Sequence, residues 1–261
     1  MHILKKALFI RSVRISLLYF AVACALSGCL FLAKPAPQIP TELLPAPSGH
    51  ADRLVIVLPG RGDDLAMLRK SGIADVIQQS LPNADVLLAE VTLAYYMQGR
   101  ATQRMHSEIV EPAKQKNYRE IYLAGASMGG MGVLMYEREY PNDMSGLILM
   151  APYMGDAALT KEIKAAGGVT HWDPGPVPPE LSRDLVPKEE WRVVKSWSAS
   201  SPRSKNVWLI CGRSDRLHEA AKLIAPELPT DHFIEVDGSH AWKVWTVGAT
   251  RAFSQIAATT H

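Results

Sequence analysis

The stretch Gly125-Ala126-Ser127-Met128-Gly129 has the spacing G-x-S-x-G. A serine hydroxyl is a weak nucleophile until a base takes its proton, so the pattern matters only if the fold can supply one. Alone it says little, since a chance match in a chain of this length occurs roughly one time in ten. Its context says more. The apolar run Ile121-Tyr122-Leu123-Ala124 precedes it, and a segment of helical period, 129–140, follows. A strand that turns sharply into a helix leaves its pivot residue strained and exposed. The neighbours of that pivot must be tiny, and Gly125, Gly129 and Gly130 are. Ser127 is then predicted to project from the carboxyl end of a sheet, where open α/β sheets bind ligands. No spacing of His, Cys and carboxylates matches a metal site, and the chemistry of such a serine calls for no cofactor.

The elements that would position this serine follow one rhythm. Apolar runs at 54–58, 85–89, 121–124, 147–150 and 207–210, with a weaker one at 233–236, alternate with helical segments at about 64–80, 100–117, 129–140, 216–226 and 241–257. Runs apolar on both faces suit a parallel sheet covered by helices. The pattern predicts one α/β domain with a mainly parallel sheet of about six to seven strands. Residues 156–204 break the rhythm. They hold Gly167-Gly168, a Pro-rich loop at 173–179 and the amphipathic segment 189–197. This insertion reads either as a lid over a pocket or as a helix packed on the sheet with a long surface loop.

From Leu54 onward, about four-fifths of the chain, the sequence resembles the α/β-hydrolases. The resemblance rests on the serine turn, the strand pattern around it and two later segments, Cys211-Gly212-Arg213-Ser214-Asp215 and Asp237-Gly238-Ser239-His240-Ala241-Trp242. It implies an α/β-hydrolase fold with the insertion after the sixth family strand. It also implies a triad in the family's order: Ser127 as nucleophile, Asp215 as acid, His240 as base. Asp156 is the rival acid, and Asp237 sits close to His240 in sequence. His50, His106, His171, His218 and His232 read as surface or packing residues. The implied oxyanion hole takes one backbone N–H from Met128, at a helix N-terminus where the dipole favours negative charge. The second comes from the loop Pro59-Gly60-Arg61-Gly62-Asp63, through Arg61. Proline stands there where the family often has histidine. Arg61-Gly62-Asp63 also spells a cell-adhesion tripeptide, a coincidence in a loop with its own structural reason. His240-Ala241-Trp242-Lys243-Val244-Trp245 resembles the H-x-W-x-x-W ending of esterase D-like enzymes, and its two tryptophans are expected to pack the last helix beneath the base.

The beginning of the chain reads as an address. Residues 1–14 are basic, Ile15 to Leu26 are nearly all apolar, and small residues follow. This is the order of a secretory signal peptide; the alternative is an uncleaved anchor helix recruiting 7–32. Leu26-Ser27-Gly28-Cys29 resembles the lipobox of bacterial lipoproteins. That resemblance implies cleavage after residue 28, acylation of Cys29, and attachment to a bilayer, the periplasmic side of the outer membrane ahead of the inner membrane because Leu30 follows the cysteine. Five prolines between 34 and 47 predict a semi-rigid tether over 29–50, with an edge strand near 39–44 as the alternative. The domain is then expected over 51–261. Of Cys24, Cys29 and Cys211 only Cys211 would remain a free thiol, expected as a buried small hydrophobe.

Charge excludes some partners. The chain has 28 basic and 26 acidic residues. Without Lys5, Lys6, Arg11 and Arg14 of the leader, 24 face 26, a net of −2. A nucleic-acid binder shows a basic excess. The function expected from the resemblance is a carboxylesterase acting on small or medium acyl esters. Thioesterase, lysophospholipase or acyltransferase chemistry would use the same triad, and a non-catalytic envelope binding protein is the alternative of another class. A serine nucleophile argues against dehalogenase chemistry, which uses Asp there.

Overall fold

A computed structural model describes residues 34–197 and 201–259. The predicted leader, with Cys24 and Cys29, lies outside the described residues. The compact unit is Ala36–His261. Its strands are β1 Thr41–Leu44, β2 Arg53–Leu58, β3 Ala84–Ala89, β4 Glu120–Ala126, β5 Gly146–Met150, β6 Val207–Gly212 and β7 Phe233–Val236. Its α-helices are α1 Leu65–Lys70, α2 Ile73–Ser80, α3 Leu93–Met97, α4 Ala101–Met105, α5 Glu111–Lys114, α6 Met128–Glu139, α7 Ala157–Ala165, α8 Val186–Ser196, α9 His218–Ile224 and α10 Trp242–Ala258. A π-helical turn, His106–Val110, joins α4 to α5. Among the described residues no helix is long and apolar enough to cross a membrane.

The strands form one sheet in the order β1-β3-β2-β4-β5-β6-β7. β2 to β7 pair in parallel, and β1 runs antiparallel along β3. Every residue of β2, β5 and β6 is buried, which is why their sequences show continuous apolar runs without alternation. Cys211, within β6, is buried and free, and burial pushes its thiol up to about 12. One predicted helix, 64–80, is broken. Ser71 caps α1 and Gly72, at φ 75°, turns the chain into α2.

The predicted tether over 29–50 needs correction from Ala36 onward. Ile39 is buried and donates its N–H to Glu108 at 2.7 Å. Arg104 holds the carbonyls of Ala36 and Pro37 at 3.0 and 2.8 Å. Thr41 to Leu44 pair with Ala89 to Val86, and Ala46 donates to Asp85 at 2.8 Å. The prolines stand outside the four paired residues, and an edge strand needs only one of its sides for pairing. The alternative of an edge strand near 39–44 is the one observed, so the domain begins near 36 rather than 51.

The insertion 156–204 is packed onto the domain through its own aromatic and charged residues. Trp191 is fully buried and donates to the Met154 carbonyl at 2.9 Å. Trp172 donates to Glu162 at 2.7 Å. The loop between α7 and α8 is pinned by cations on α8. Arg192 reaches the carbonyls of Gly175 and Pro176 at 3.0 and 3.1 Å, and Lys195 those of Thr170 and Trp172 at 2.7 Å each. Glu189 ties α8 to α6 through Arg138 at 3.0 Å.

The next residue, Glu190, is buried with both carboxyl oxygens lacking a hydrogen-bond partner, and burial holds its carboxyl well above the usual carboxylate range. The folded chain therefore binds a proton that the unfolded chain releases above about pH 4.3. Stability falls as pH rises from there toward the folded value. Glu190→Met is expected to raise Tm, and by more at pH 7 than at pH 4.5; thermal unfolding of both proteins at the two pH values checks this.

Candidate functional site

Ser127 ends β4 and precedes α6 with φ 53° and ψ −110°. A non-glycine residue in such a conformation costs about 1–3 kcal/mol and persists only where its surroundings over-determine it. They do so here. Ser127 N–H donates to Met150 O at 2.8 Å, and its carbonyl accepts from Met131 at 3.1 Å and Tyr153 at 3.0 Å. The glycines predicted to flank the pivot are sterically required. A Cβ on Gly125 would lie 2.3 Å from Gly129 O, one on Gly129 would lie 2.6 Å from both Leu58 O and Pro59 O, and one on Gly130 would lie 2.8 Å from Pro152 Cα.

Asp215 follows β6 and His240 follows β7, neighbouring strands. Their turns are bonded together. Arg213 N–H donates to Val236 O at 2.8 Å and Ser214 N–H to Gly238 O at 2.9 Å. Gly212 allows the approach, since a Cβ there would lie 2.4 Å from Gly238 O. The result is a paired acid and imidazole. His240 Nδ1 lies 2.8 Å from each Asp215 oxygen, and the carboxylate is fully buried. Burial works to raise the Asp215 carboxyl. The His240 hydrogen bond, the Leu217 N–H at 2.9 Å and the nearby Trp245 indole outweigh it and hold the group below the ordinary range. The rivals are occupied elsewhere. Asp156 caps α7 through the N–H groups of Ala158 and Leu159, both at 3.0 Å, and exposed Asp237 pairs with Arg213 at 3.1 Å. Among the other histidines, His106 bonds Tyr136, His218 bonds Glu235 and His232 bonds the Val207 carbonyl.

Both His240 hydrogen bonds run to Asp215, and none to the Ser127 hydroxyl is present among the described residues. Such contacts are often long in free enzymes and tighten on substrate binding. A bond further along the chain ties the segment after His240 to the loop after β2. Trp242 Nε1 donates to Asp63 Oδ2 at 2.8 Å, and Asp63 lies in the loop after β2. In the strand order β2 lies beside β4, whose end precedes Ser127.

This link is the part of the site that the sequence reading missed. The tryptophans were expected only to pack the last helix. Trp245 does so, edge-on to His240 at 4.7 Å and to Trp242 at 5.3 Å. Trp242 also bonds the same Asp63 oxygen that accepts Gly60 N–H at 3.1 Å. With Gly60 N–H committed, Arg61 N–H, on an exposed residue, makes no hydrogen bond among the described residues. Met128 is the first residue of α6, so its N–H has no partner within the helix. The two expected oxyanion donors are thus backbone groups without a hydrogen-bond partner among the described residues. Among the described residues no cluster of His, Cys, Asp and Glu could hold a metal ion.

Comparison with known proteins agrees with this architecture. Residues 103–197, just over a third of the chain, match the family model described as Serine aminopeptidase, S33. No curated protein matches the chain. Among solved structures, Est1E from Butyrivibrio proteoclasticus is similar with TM-score 0.56 and 18% identity over 85% of this chain and 93% of that one. A monoacylglycerol lipase from Paleococcus ferrophilus is similar with TM-score 0.54 and 17% identity over 85% and 99%. S-formylglutathione hydrolase from Staphylococcus aureus gives 0.53 and 14% over 80% and 82%. Taken with the strand order, the serine turn and the insertion between β5 and β6, these similarities identify the architecture as the α/β-hydrolase fold.

Proposed function

We propose that this chain is a serine hydrolase, a carboxylesterase acting on small or medium acyl esters through an acyl-enzyme on Ser127. The observation that carries the reading is the Asp215–His240 pair bonded at 2.8 Å, at the same end of the parallel sheet as the strained Ser127. In this reading His240 Nε2 takes the Ser127 proton as Oγ attacks the acyl carbon, then gives it to the departing alcohol. Asp215 fixes the imidazole with its proton on Nδ1 and stabilises the imidazolium. Met128 and Arg61 N–H groups receive the developing oxyanion. Water, activated by the same imidazole, releases the acid. Fold relatives that include a monoacylglycerol lipase and an S-formylglutathione hydrolase support acyl transfer as the reaction class.

A fluorophosphonate probe is expected to label the wild type at one serine and to leave Ser127→Ala unlabelled. Turnover of p-nitrophenyl esters should fall by at least about 10³-fold in that variant. Equal labelling of both proteins removes Ser127 from the role. The Asp63 link has its own signature. Trp242→Phe keeps the ring and removes the donor, so kcat is expected to fall roughly tenfold with little change in KM, as befits a loss of positioning around the oxyanion. Steady-state kinetics of the folded variant checks it.

We also infer that the mature chain begins at an acylated Cys29 and is held at the bacterial cell envelope, the outer membrane's periplasmic side ahead of the inner membrane. The reading rests on Leu26-Ser27-Gly28-Cys29 at the end of the apolar stretch. Several acyl chains, each buried CH₂ contributing about 0.8 kcal/mol, make such an anchor stable. Mass spectrometry of the mature N-terminus should find a lipid-modified Cys29; a free Met1 or a cut after another residue overturns it.

A further inference from the structure

The loop that leaves β5 is tied to its neighbours on both sides. In the sheet β5 stands between β4, which leads to Ser127, and β6, which leads to Asp215. Met150, its last residue, accepts the Ser127 N–H at 2.8 Å, and Ala151 donates its own N–H to Ile210 O of β6 at 2.7 Å. Ala151 takes φ 43°, a left-handed conformation that is costly for a residue with a side chain. Outliers of this kind cluster at functional sites. Pro152 is buried against the start of α6, where a Cβ on Gly130 would lie 2.8 Å from its Cα. Tyr153 N–H donates to Ser127 O at 3.0 Å. Met154, fully buried, offers its carbonyl to Trp191 of the insertion at 2.9 Å.

Between these two buried neighbours Tyr153 is 40% exposed. Its hydroxyl bonds nothing and its ring stacks on nothing among the described residues. A single exposed apolar residue is ordinary on a protein surface; the position of this one is not. Of the exposed large apolar side chains Leu43, Met67, Tyr153, Val177 and Val247, only that of Tyr153 belongs to a residue bonded to Ser127 among the described residues. One bond of about 1.46 Å joins the Tyr153 nitrogen to its Cα, so that Cα stands within about 4.5 Å of Ser127 O. An aromatic side chain on a tightly held backbone therefore emerges beside the nucleophile, at the end of the sheet where such folds bind ligands. Tyrosine offers a flat contact surface and, with two side-chain torsions, loses little entropy when covered.

We propose that Tyr153 is a specificity-determining residue, packing its ring against a planar aromatic group of the ester turned over at Ser127. The inference rests on the serine hydrolase reading and narrows its substrate class to esters that carry such a group. Two aromatic rings gain from offset or edge-to-face packing beyond the area they bury. A saturated ring of the same size gains burial alone. The difference corresponds to a preference of about two- to tenfold for the aromatic substrate. The group can stand on the acid or the alcohol side of the ester with the same chemistry, and two substrate pairs separate the cases.

The acid-side pair is ethyl phenylacetate and ethyl cyclohexylacetate; the alcohol-side pair is benzyl acetate and cyclohexylmethyl acetate. Acid release is followed in a pH-stat, and the ratio of kcat/KM, aromatic over saturated, is taken within each pair. In Tyr153→Leu and Tyr153→Ala the ratio is expected to fall about two- to tenfold in one pair, through KM. In Tyr153→Phe, which keeps the ring, it is expected to stay at the wild-type value. The ratio is internal to each protein, so a loss of folded enzyme does not mimic it. The pair that responds assigns the side of the ester. A ratio unchanged in both pairs overturns the proposal, as does a fall in Tyr153→Phe equal to that in Tyr153→Leu. Failure of the wild type to turn over either pair while Ser127 is labelled by the fluorophosphonate overturns it too. Equal labelling of wild type and Ser127→Ala marks the separate failure of the serine reading.

Discussion

The approach of α6 to the ends of β2 and β4 is the constraint on which the site depends. Backbone from Gly129 meets the carbonyls of Leu58 and Pro59 where no side-chain carbon would fit. That contact forces the chain to reverse within one residue, and Ser127 absorbs the reversal in its φ of 53°. The strain is held by ordinary hydrogen bonds to Met150, Met131 and Tyr153, so the serine is supported from β5 and the loop after it as well as from α6. A short sharp turn also brings the start of α6 against the end of β2, at Leu58 and Pro59.

The remaining parts of the site are held to this turn from two directions. The pairing of β6 with β7 fixes the Asp215 turn against the His240 loop through Ser214 and Gly238. The opposite direction is the bond from Trp242 to Asp63, and through Asp63 to Gly60. A single carboxylate oxygen therefore joins the segment after His240 to the loop after β2. Trp245, edge-on to both His240 and Trp242, fills the space between them.

Local chemistry made much of this legible. Continuous apolar runs announced buried parallel strands because both faces of β2, β5 and β6 are covered. The glycines around Ser127 announced the sharp turn because sterics leave no other residue there. Asp215 and His240 were reached only through resemblance, since nothing local distinguishes Asp215 from Asp156. What stayed hidden was non-local. The partner of Trp242 lies 179 residues away, and no pattern in the last helix points to it. β1 was masked by prolines that flank its four residues without entering them. The short helix α3 has too few residues to display a period. Glu190 sits on an amphipathic helix where a charged residue reads as solvent-facing, yet it is buried against the domain.

The direction of β1 has a geometric consequence. Because β1 runs opposite to the other strands, its first residue, Thr41, stands opposite Ala89, the last residue of β3. The polypeptide therefore joins the globule at the end of the sheet from which Ser127, Asp215 and His240 emerge. Anything that fastens the chain upstream of Ala36 pulls on that end.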